Sequence, residues 1–233
     1  MKNNFFNKII QKQLIKYQIR KLKIETPYEI TDDLIVNFNG NVNLADKGLT
    51  EIPFKMGEIK GDFNCGNNKL KNLINGPSFV RGDYFCDGNL LDSLEGVALI
   101  IEKSFDCSFS LLKNLLHGPA HVGKNYNCSN NNLISLEGVQ KAIYGDFNCC
   151  SNVLESLKDG PEIVKEVYYC NENPIKTWAY LPKEVQHFRW HKERKDPILS
   201  FDDVCKLKEI EDNYSELNNN LVIVDNKRKR LKI

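Results

Sequence analysis

The pentapeptide "GDFNC" occupies residues 61–65 and returns unchanged at residues 145–149. A close variant, "GDYFC", occupies residues 82–86. Cysteine itself recurs at a constant spacing of 21 residues, at Cys65, Cys86, Cys107, Cys128, Cys149 and Cys170. A fixed period of about 20–50 residues is typical of repeat architectures. The spacing therefore predicts a solenoid in which each turn contributes one cysteine.

The repeat can be numbered from 1 to 21, so that its seven copies begin at Gly40, Gly61, Gly82, Lys103, Lys124, Gly145 and Glu166. Positions 3, 5, 10, 13 and 20 stay apolar from copy to copy. Positions 3 and 5 alternate with polar positions 2 and 4, which predicts a short, half-buried strand. In the second half of each repeat the chain turns back. This return segment contains Gly-Pro in one repeat and Glu-Gly-Val in the next.

Position 8 is asparagine in five copies: Asn68, Asn89, Asn131, Asn152 and Asn173. A buried asparagine can bond the backbone of its own turn and of the neighbouring turn, so the column predicts a ladder of hydrogen bonds. The fourth repeat departs from the pattern, with Phe109 and Ser110 in place of the usual asparagine pair.

The pattern aromatic-x-Cys-x-x-Asn-x-Leu-x-x-Leu resembles the leucine-rich repeat over about residues 34–186. The sequence "CSNNNLISLEGV" at residues 128–139 is similar to repeats of the leucine-rich repeat proteins encoded by tailed bacteriophages. The first repeat, which begins at Gly40, is similar to the first repeat of those proteins. The resemblance implies an α/β solenoid, a leucine-rich repeat horseshoe of seven 21-residue repeats with a parallel sheet on its concave face. It also implies a phage origin and no catalytic residues.

Three regions are expected along the chain: an N-terminal basic helix and hairpin cap at residues 1–39, the solenoid at 40–186, and a C-terminal helical cap with a basic tail at 187–233. The N-terminal helix is predicted over residues 5–24, and its apolar positions are Phe6, Ile10, Leu14 and Tyr17, widened by Ile15, Ile19 and Leu22. A basic amphipathic helix can also lie on a membrane surface or on a partner.

A turn at residues 31–33 predicts a hairpin before the first repeat. After the solenoid, Ser200 is a candidate N-cap for a second helix over residues 201–217. The stretch "LVIV" at residues 221–224 is a candidate strand.

The cysteines are predicted to form a buried packing column, because a small apolar residue fits beneath a stacked strand. Zinc ligand pairs normally lie two to four residues apart, so a 21-residue spacing disfavours a metal site. His187 and His191 lie four residues apart but lack the glutamate of a zinc-protease motif. We therefore expect neither a metal, a cofactor nor an enzymatic activity.

Charge is segregated along the chain. Residues 1–24 carry seven lysines or arginines and no acidic residue. Residues 225–233 carry five lysines or arginines and one acidic residue. The residues between them include 20 basic and 30 acidic side chains. No apolar stretch reaches the roughly 18 residues that a membrane span requires, and lysines interrupt every candidate signal-peptide core. A cytoplasmic location is expected, within an infected host or associated with a virion if the phage resemblance holds.

Polar and aromatic side chains point out of the predicted sheet and form a candidate partner-binding face. Its residues are Asp62, Asp83, Phe85, Asp106, Phe109, Asn127, Asp146 and Tyr169. Aromatic residues on a polar face are typical of contact hot spots. The alternative, that these polar residues only keep the sheet soluble, stays open at this point.

Two functions follow as hypotheses. The first is a protein–protein interaction module, whose partner is a host enzyme or defence protein that is thereby blocked, or another phage protein in a particle. The second is nucleic-acid binding through the basic ends, with Lys227, Arg228, Lys229 and Arg230 as the tail contacts. The acidic body disfavours the second hypothesis, because it repels a polyanion. The sequence leaves the oligomeric state open.

Overall fold

The computed structural model describes residues 2–177 and 180–189, together with residues 199–200, 202–203, 205–206 and 209. The helix α1 spans Lys2–Lys21. Sixteen strands follow among the described residues: β1 Tyr28–Ile30, β2 Val36–Phe38, β3 Val42–Asn43, β4 Met56–Ile59, β5 Phe63–Asn64, β6 Phe79–Val80, β7 Tyr84–Phe85, β8 Ile100–Ile101, β9 Phe105–Asp106, β10 His121–Val122, β11 Tyr126–Asn127, β12 Ala142–Ile143, β13 Phe147–Asn148, β14 Ile163–Tyr169, β15 Glu184–Arg189 and β16 Leu199–Ser200.

The strands form two sheets that run along the stacked turns. The six-stranded sheet has the order β1-β2-β4-β6-β8-β10, and the ten-stranded sheet has the order β16-β15-β14-β13-β11-β9-β7-β5-β3, with β12 pairing with β14 beside this path. Successive turns pair in parallel with a shift of one repeat, as Phe63 with Tyr84 and Tyr84 with Phe105 show. The predicted 21-residue register is therefore confirmed.

The return half of the described turns contains a short strand, such as β6 or β8, in the place where an α/β solenoid has a helix. The described repeats therefore form a β-solenoid of parallel sheets, which corrects the expected α/β class. Gly-Pro or Glu-Gly-Val precedes the return strand in alternate turns, so β6 follows Gly-Pro and β8 follows Glu-Gly-Val. The horseshoe shape and helical caps at both ends stay predictions.

The aromatic column at position 3 is buried along the whole stack. Its members are Phe63, Tyr84, Phe105, Tyr126, Phe147 and Tyr168, and Val42 occupies the same position in the first turn. Neighbouring rings have centroids 4.9 to 5.9 Å apart, and most of these pairs are edge to face. Such geometry is the favoured contact of aromatic quadrupoles, so the column contributes both buried area and orientation.

The six repeat cysteines form a second buried column with free thiols, as predicted. The Sγ atoms of Cys86, Cys107, Cys128 and Cys149 each donate to the backbone carbonyl at position 4 of the next turn, at 3.3 to 3.4 Å. Burial raises the pKa of every thiol in the column. A cysteine therefore suits this position because it is small, apolar and still able to donate weakly.

The asparagine ladder is confirmed, and Asn89 shows its geometry. Asn89 Nδ2 donates to the carbonyls of Cys65 and Cys86, both at 3.0 Å, while its Oδ1 accepts from the Leu70 N–H at 3.0 Å. Asn68, Asn131, Asn152 and Asn173 repeat this arrangement. In the fourth repeat Ser110 interrupts the ladder, because its buried Oγ has no hydrogen-bond partner.

The N-terminal helix is present and packs on the solenoid through one side. Ile15 and Ile19 join the hydrophobic core, whereas Leu14 and Tyr17 are exposed to solvent. The residues expected to widen the apolar side, such as Ile15 and Ile19, are thus the ones that pack. Of the four residues expected to form the main apolar side, the described ones stay exposed. The side chain of Phe6 lies outside the described residues.

The predicted hairpin is confirmed, since β1 and β2 pair in antiparallel orientation with Ile30 opposite Val36. The five described positions within residues 202–209 are helical, but the remainder of the predicted C-terminal helix and the predicted strand at 221–224 lie outside the described residues. Among the described helical residues, none forms a helix long and apolar enough to cross a bilayer.

Candidate protein-binding face

A shallow groove of about 350 Å³ lies on the solvent side of the ten-stranded sheet. Six of the eight predicted site residues line it: Asp83, Phe85, Asp106, Asn127, Asp146 and Tyr169. We call this surface, together with its lining residues Ser104, Asn125 and Asn148, the groove face. Asp62 lies outside the groove, with its Oδ1 4.0 Å from Lys103 Nζ. Phe109 also lies outside it, in the turn after β9.

The aspartates at position 2 hold neighbouring turns together. Asp62 Oδ1 accepts from the Asp83 N–H at 2.9 Å, and Asp83 Oδ1 accepts from the Ser104 N–H at 2.8 Å. Asp146 Oδ1 accepts from the Val167 N–H at 3.0 Å. Each carboxylate thus stabilises the stack through one oxygen, so these side chains have a structural role beside any contact with a partner. The sequence analysis assigned these aspartates only to the binding face and did not predict this role.

Asp106 is held in one orientation on the groove face, on the strand next to Phe85. Its Oδ1 accepts from the Ser108 N–H at 2.9 Å and from the Ser108 hydroxyl at 2.5 Å, and its Oδ2 accepts from Asn127 Nδ2 at 2.9 Å. Asn127 Oδ1 in turn accepts from the Ser129 N–H at 3.1 Å. The carboxylate therefore holds one orientation before any partner arrives, which lowers the entropy lost on binding.

Negative charge concentrates around Asp106 and at the Tyr169 end of the groove. Burial and the nearby Asp106 carboxylate raise the pKa of Asp87, in the turn next to Asp106. Burial and the Asp146 carboxylate raise the pKa of Tyr169 at the other end of the groove. A cation that contacts this surface is attracted by several carboxylates at once.

Two half-buried aromatic rings mark the ends of the groove, Phe85 on β7 and Tyr169 on β14. Both residues occupy position 4, where Asn43, Asn64, Asn127 and Asn148 stand in other turns. In those turns the asparagine Oδ1 accepts the backbone N–H two residues later. An aromatic side chain cannot make that bond, so Phe85 and Tyr169 replace a local stabilising contact with exposed ring surface.

Phe109 has an unusual backbone conformation for an aromatic residue. Position 7 is left-handed in all seven turns, with residues Asp46, Asn67, Gly88, Phe109, Asn130, Ser151 and Glu172. The φ of Phe109 is 53°, and its side chain is 61% exposed. Bulky residues are disfavoured in this region of φ/ψ space, where glycine and asparagine are tolerated. Phe109 therefore carries backbone strain without the benefit of burial.

Two exposed leucines near Phe109 were missed by the sequence analysis. Leu90 and Leu111 both occupy position 9 and are 44% and 46% exposed. They lie on adjacent turns, since the Leu111 N–H bonds the Leu91 carbonyl at 2.9 Å. The sequence signal is a large apolar residue at position 9, which carries Gly48, Lys69, Asn132, Val153 and Pro174 in the other turns. They add apolar surface to the edge that carries Phe109.

The remaining predicted sites lie largely outside the described part of the chain. Lys227, Arg228, Lys229 and Arg230 lie outside the described residues, so the alternative nucleic-acid site stays a prediction. His187 lies on strand β15, whereas His191 is outside the described residues. Among the residues that the structure describes, no three histidine, cysteine or acidic side chains are grouped as a metal site requires.

The fold defines a class of protein, a repeat solenoid with turns of 21 residues that fits a leucine-rich-repeat-like protein. Comparisons of the chain with protein-family models, with curated proteins and with solved structures find no match. The resemblance to phage proteins, with the origin and location that it implies, therefore stays a prediction.

Proposed function

We propose that this chain is a non-enzymatic protein–protein interaction module and that its groove face binds a basic, amphipathic segment of a partner protein. The observation that carries the proposal is the fixed Asp106 carboxylate in a groove between two half-buried aromatic rings, Phe85 and Tyr169.

The chemistry of the groove supports this class of partner. Aromatic anchors contribute a large share of the binding free energy at many protein interfaces, especially where they lie in pockets. The surrounding carboxylates favour a partner with cations, and such complementarity acts mainly on the association rate and on specificity. A segment with apolar side chains on one side and lysine or arginine on the other satisfies both features.

The repeat supplies conservative variants for the test. Phe85→Asn and Asp106→Asn both introduce the residue that position 4 carries in four other turns, so the double variant keeps a side chain that the fold already uses. Tyr144→Lys is the matched control, because Tyr144 is an exposed aromatic residue outside the groove. Immobilised wild type and both variants are used for capture from cell lysate at low and at moderate salt.

The expected result is one stoichiometric protein that wild type and Tyr144→Lys retain at moderate salt and that the double variant loses. The melting temperature of all three proteins should agree within a few degrees. Equal capture by the double variant would contradict the assignment of the groove face.

The alternative function, nucleic-acid binding through the basic ends, is tested separately. A mobility shift with intact protein at low salt, lost on deletion of residues 225–233, would support it. No shift at low salt would exclude it, because counterion release makes such binding strongest there.

A further inference from the structure

Helix α1 exposes a continuous face that its own solenoid leaves uncovered. Ile10, Leu14 and Tyr17 are 46%, 57% and 64% exposed. At 100° per residue these three lie within about 60° of one another, on the side of the helix away from the buried Ile19, while the exposed Ile9 lies at the flank of this side. Three large apolar side chains on one exposed helix face are more than a solvated surface requires. We call this surface the free face of α1.

The charge of α1 complements the groove face. Residues 1–24 include seven basic and no acidic residues, whereas residues 25–224 include 20 basic and 30 acidic ones. Lys21 is exposed at the C-terminal end of the free face, and the exposed Arg20 lies at its flank. Lys12 lies towards the packed side of the helix and pairs with Asp32. The free face therefore presents apolar side chains followed by a cation, which is the chemistry that the groove face is proposed to bind.

The dimensions also agree. From Phe85 to Tyr169 the groove crosses four intervals between adjacent strands, about 19 Å at the usual strand spacing. From Ile10 to Lys21 the helix advances by about 17 Å at the usual rise per residue. A single α1 can thus extend along the groove and place its side chains on both aromatic rings and on the carboxylates between them.

We propose that α1 of one copy docks in the groove face of a second copy, so that the protein associates with itself head to tail. This inference rests on the proposed function, since it names the partner segment that the groove face binds. The contact joins two different surfaces, so each bound copy still offers one free helix and one free groove. Such a heterologous contact produces rings or open chains rather than a closed two-fold dimer.

Two variants separate the two halves of the contact. The helix variant is Leu14→Glu with Tyr17→Glu, at side chains that the fold leaves exposed. The groove variant is Phe85→Asn with Asp106→Asn, as above. Masses are measured by sedimentation or light scattering over a range of protein concentrations at low salt, and circular dichroism confirms that both variants are folded.

Wild type should grow with concentration to at least twice its monomer mass of 26.8 kDa, and added salt should reduce this growth. Each variant alone should stay monomeric. An equal mixture of the two should form a dimer and nothing larger, because only one intact helix and one intact groove remain to pair. The control variant Tyr144→Lys should behave as wild type.

A wild type that stays monomeric at every concentration overturns the inference, as does a mixture that forms no dimer. Binding of wild type, but not of the helix variant, to anionic phosphatidylserine vesicles without self-association would instead assign the free face to a lipid surface. If self-association is absent while the groove variant still loses a captured protein, the inference fails and the proposed function stands. If self-association and capture both survive the groove variant, both are wrong.

Discussion

The hydroxyl of Tyr84 lies against Gly76 of the preceding turn, where an added Cβ would be 3.3 Å from the phenol oxygen. The same relationship joins Tyr126 with Gly118 and Tyr168 with Gly160, at 3.3 and 3.1 Å. At Gly96, which belongs to the other return type, the nearest atoms are the backbone of Leu73 instead. The alternation of tyrosine with phenylalanine is therefore coupled to the alternation of the return segments.

Removing this hydroxyl should not weaken the fold. Tyr84 Oη is buried and has no hydrogen-bond partner, so it forgoes its bonds to water without replacement. We expect Tyr84→Phe to leave the free energy of unfolding unchanged or to raise it by about 1 kcal/mol. Urea denaturation measures this change. A loss of stability would show that the hydroxyl has a bound partner, such as an ordered water.

Completing the asparagine ladder should stabilise the protein. By analogy with Asn89 and Asn131, the side chain of Ser110→Asn would accept from the Leu91 N–H and donate to the carbonyls of Cys86 and Cys107. We expect a gain of about 1 kcal/mol in the free energy of unfolding.

The reciprocal change is the control. Asn131→Ser should cost about 1–3 kcal/mol, because it leaves buried backbone groups without partners. Denaturant titrations of the two variants should therefore shift in opposite directions. A shift of both in the same direction would contradict the assigned role of position 8.

The strain at Phe109 predicts that replacing this residue stabilises the fold. Phe109→Asn introduces the residue of Asn67 and Asn130 at the same left-handed position, so we expect a stability gain of about 1 kcal/mol. The control Leu111→Asn changes an exposed side chain of the same turn that has no positive φ, and should not show this gain. If Phe109 contributes to partner contact, Phe109→Asn also weakens capture.

The role of the position 2 aspartates can be divided into hydrogen bond and charge. Asp83→Asn keeps an oxygen that can accept from the Ser104 N–H, as Asn41 and Asn125 do for the turns that follow them. We expect its stability to match wild type, whereas Asp83→Ala should lose about 1 kcal/mol. Thermal denaturation of both variants provides the measurement. Equal losses would mean that the negative charge itself holds the turns.

The buried cysteines predict steep unfolding at alkaline pH. Burial raises their pKa in the folded state, while in the unfolded chain a thiol has a pKa of about 8.5. The unfolded state therefore releases protons first, so the stability that is complete below about pH 8.5 is lost as pH rises, by about 1.4 kcal/mol per pH unit for each cysteine.

Denaturant midpoints between neutral pH and about pH 10, under reducing conditions, test this slope. Cys107→Ala should reduce the slope of the free energy of unfolding against pH by the contribution of one thiol. The same variant costs stability at neutral pH through the cavity that it leaves. A midpoint that is independent of pH above 8.5 would show that the thiols are not buried in solution.

The sequence predicted the repeat, its register and its buried columns, because a solenoid places equal positions of successive turns in contact. A periodic apolar or asparagine column is thus visible as a spacing, and Cys107 or Asn131 can be assigned without coordinates. Six members of the groove face could be found in the same way, since strand alternation decides which side chains point outward.

Other features depend on how the backbone closes each turn and on which surfaces meet. The left-handed φ of Phe109, the bond from Asp62 to the neighbouring turn, and the choice of Ile19 rather than Tyr17 as the packed side of α1 are such features. The helix carries apolar residues on two sides, and its sequence favours neither. Only tertiary packing selects the side that is buried, because Ile15 and Ile19 join the hydrophobic core and leave Leu14 and Tyr17 to solvent.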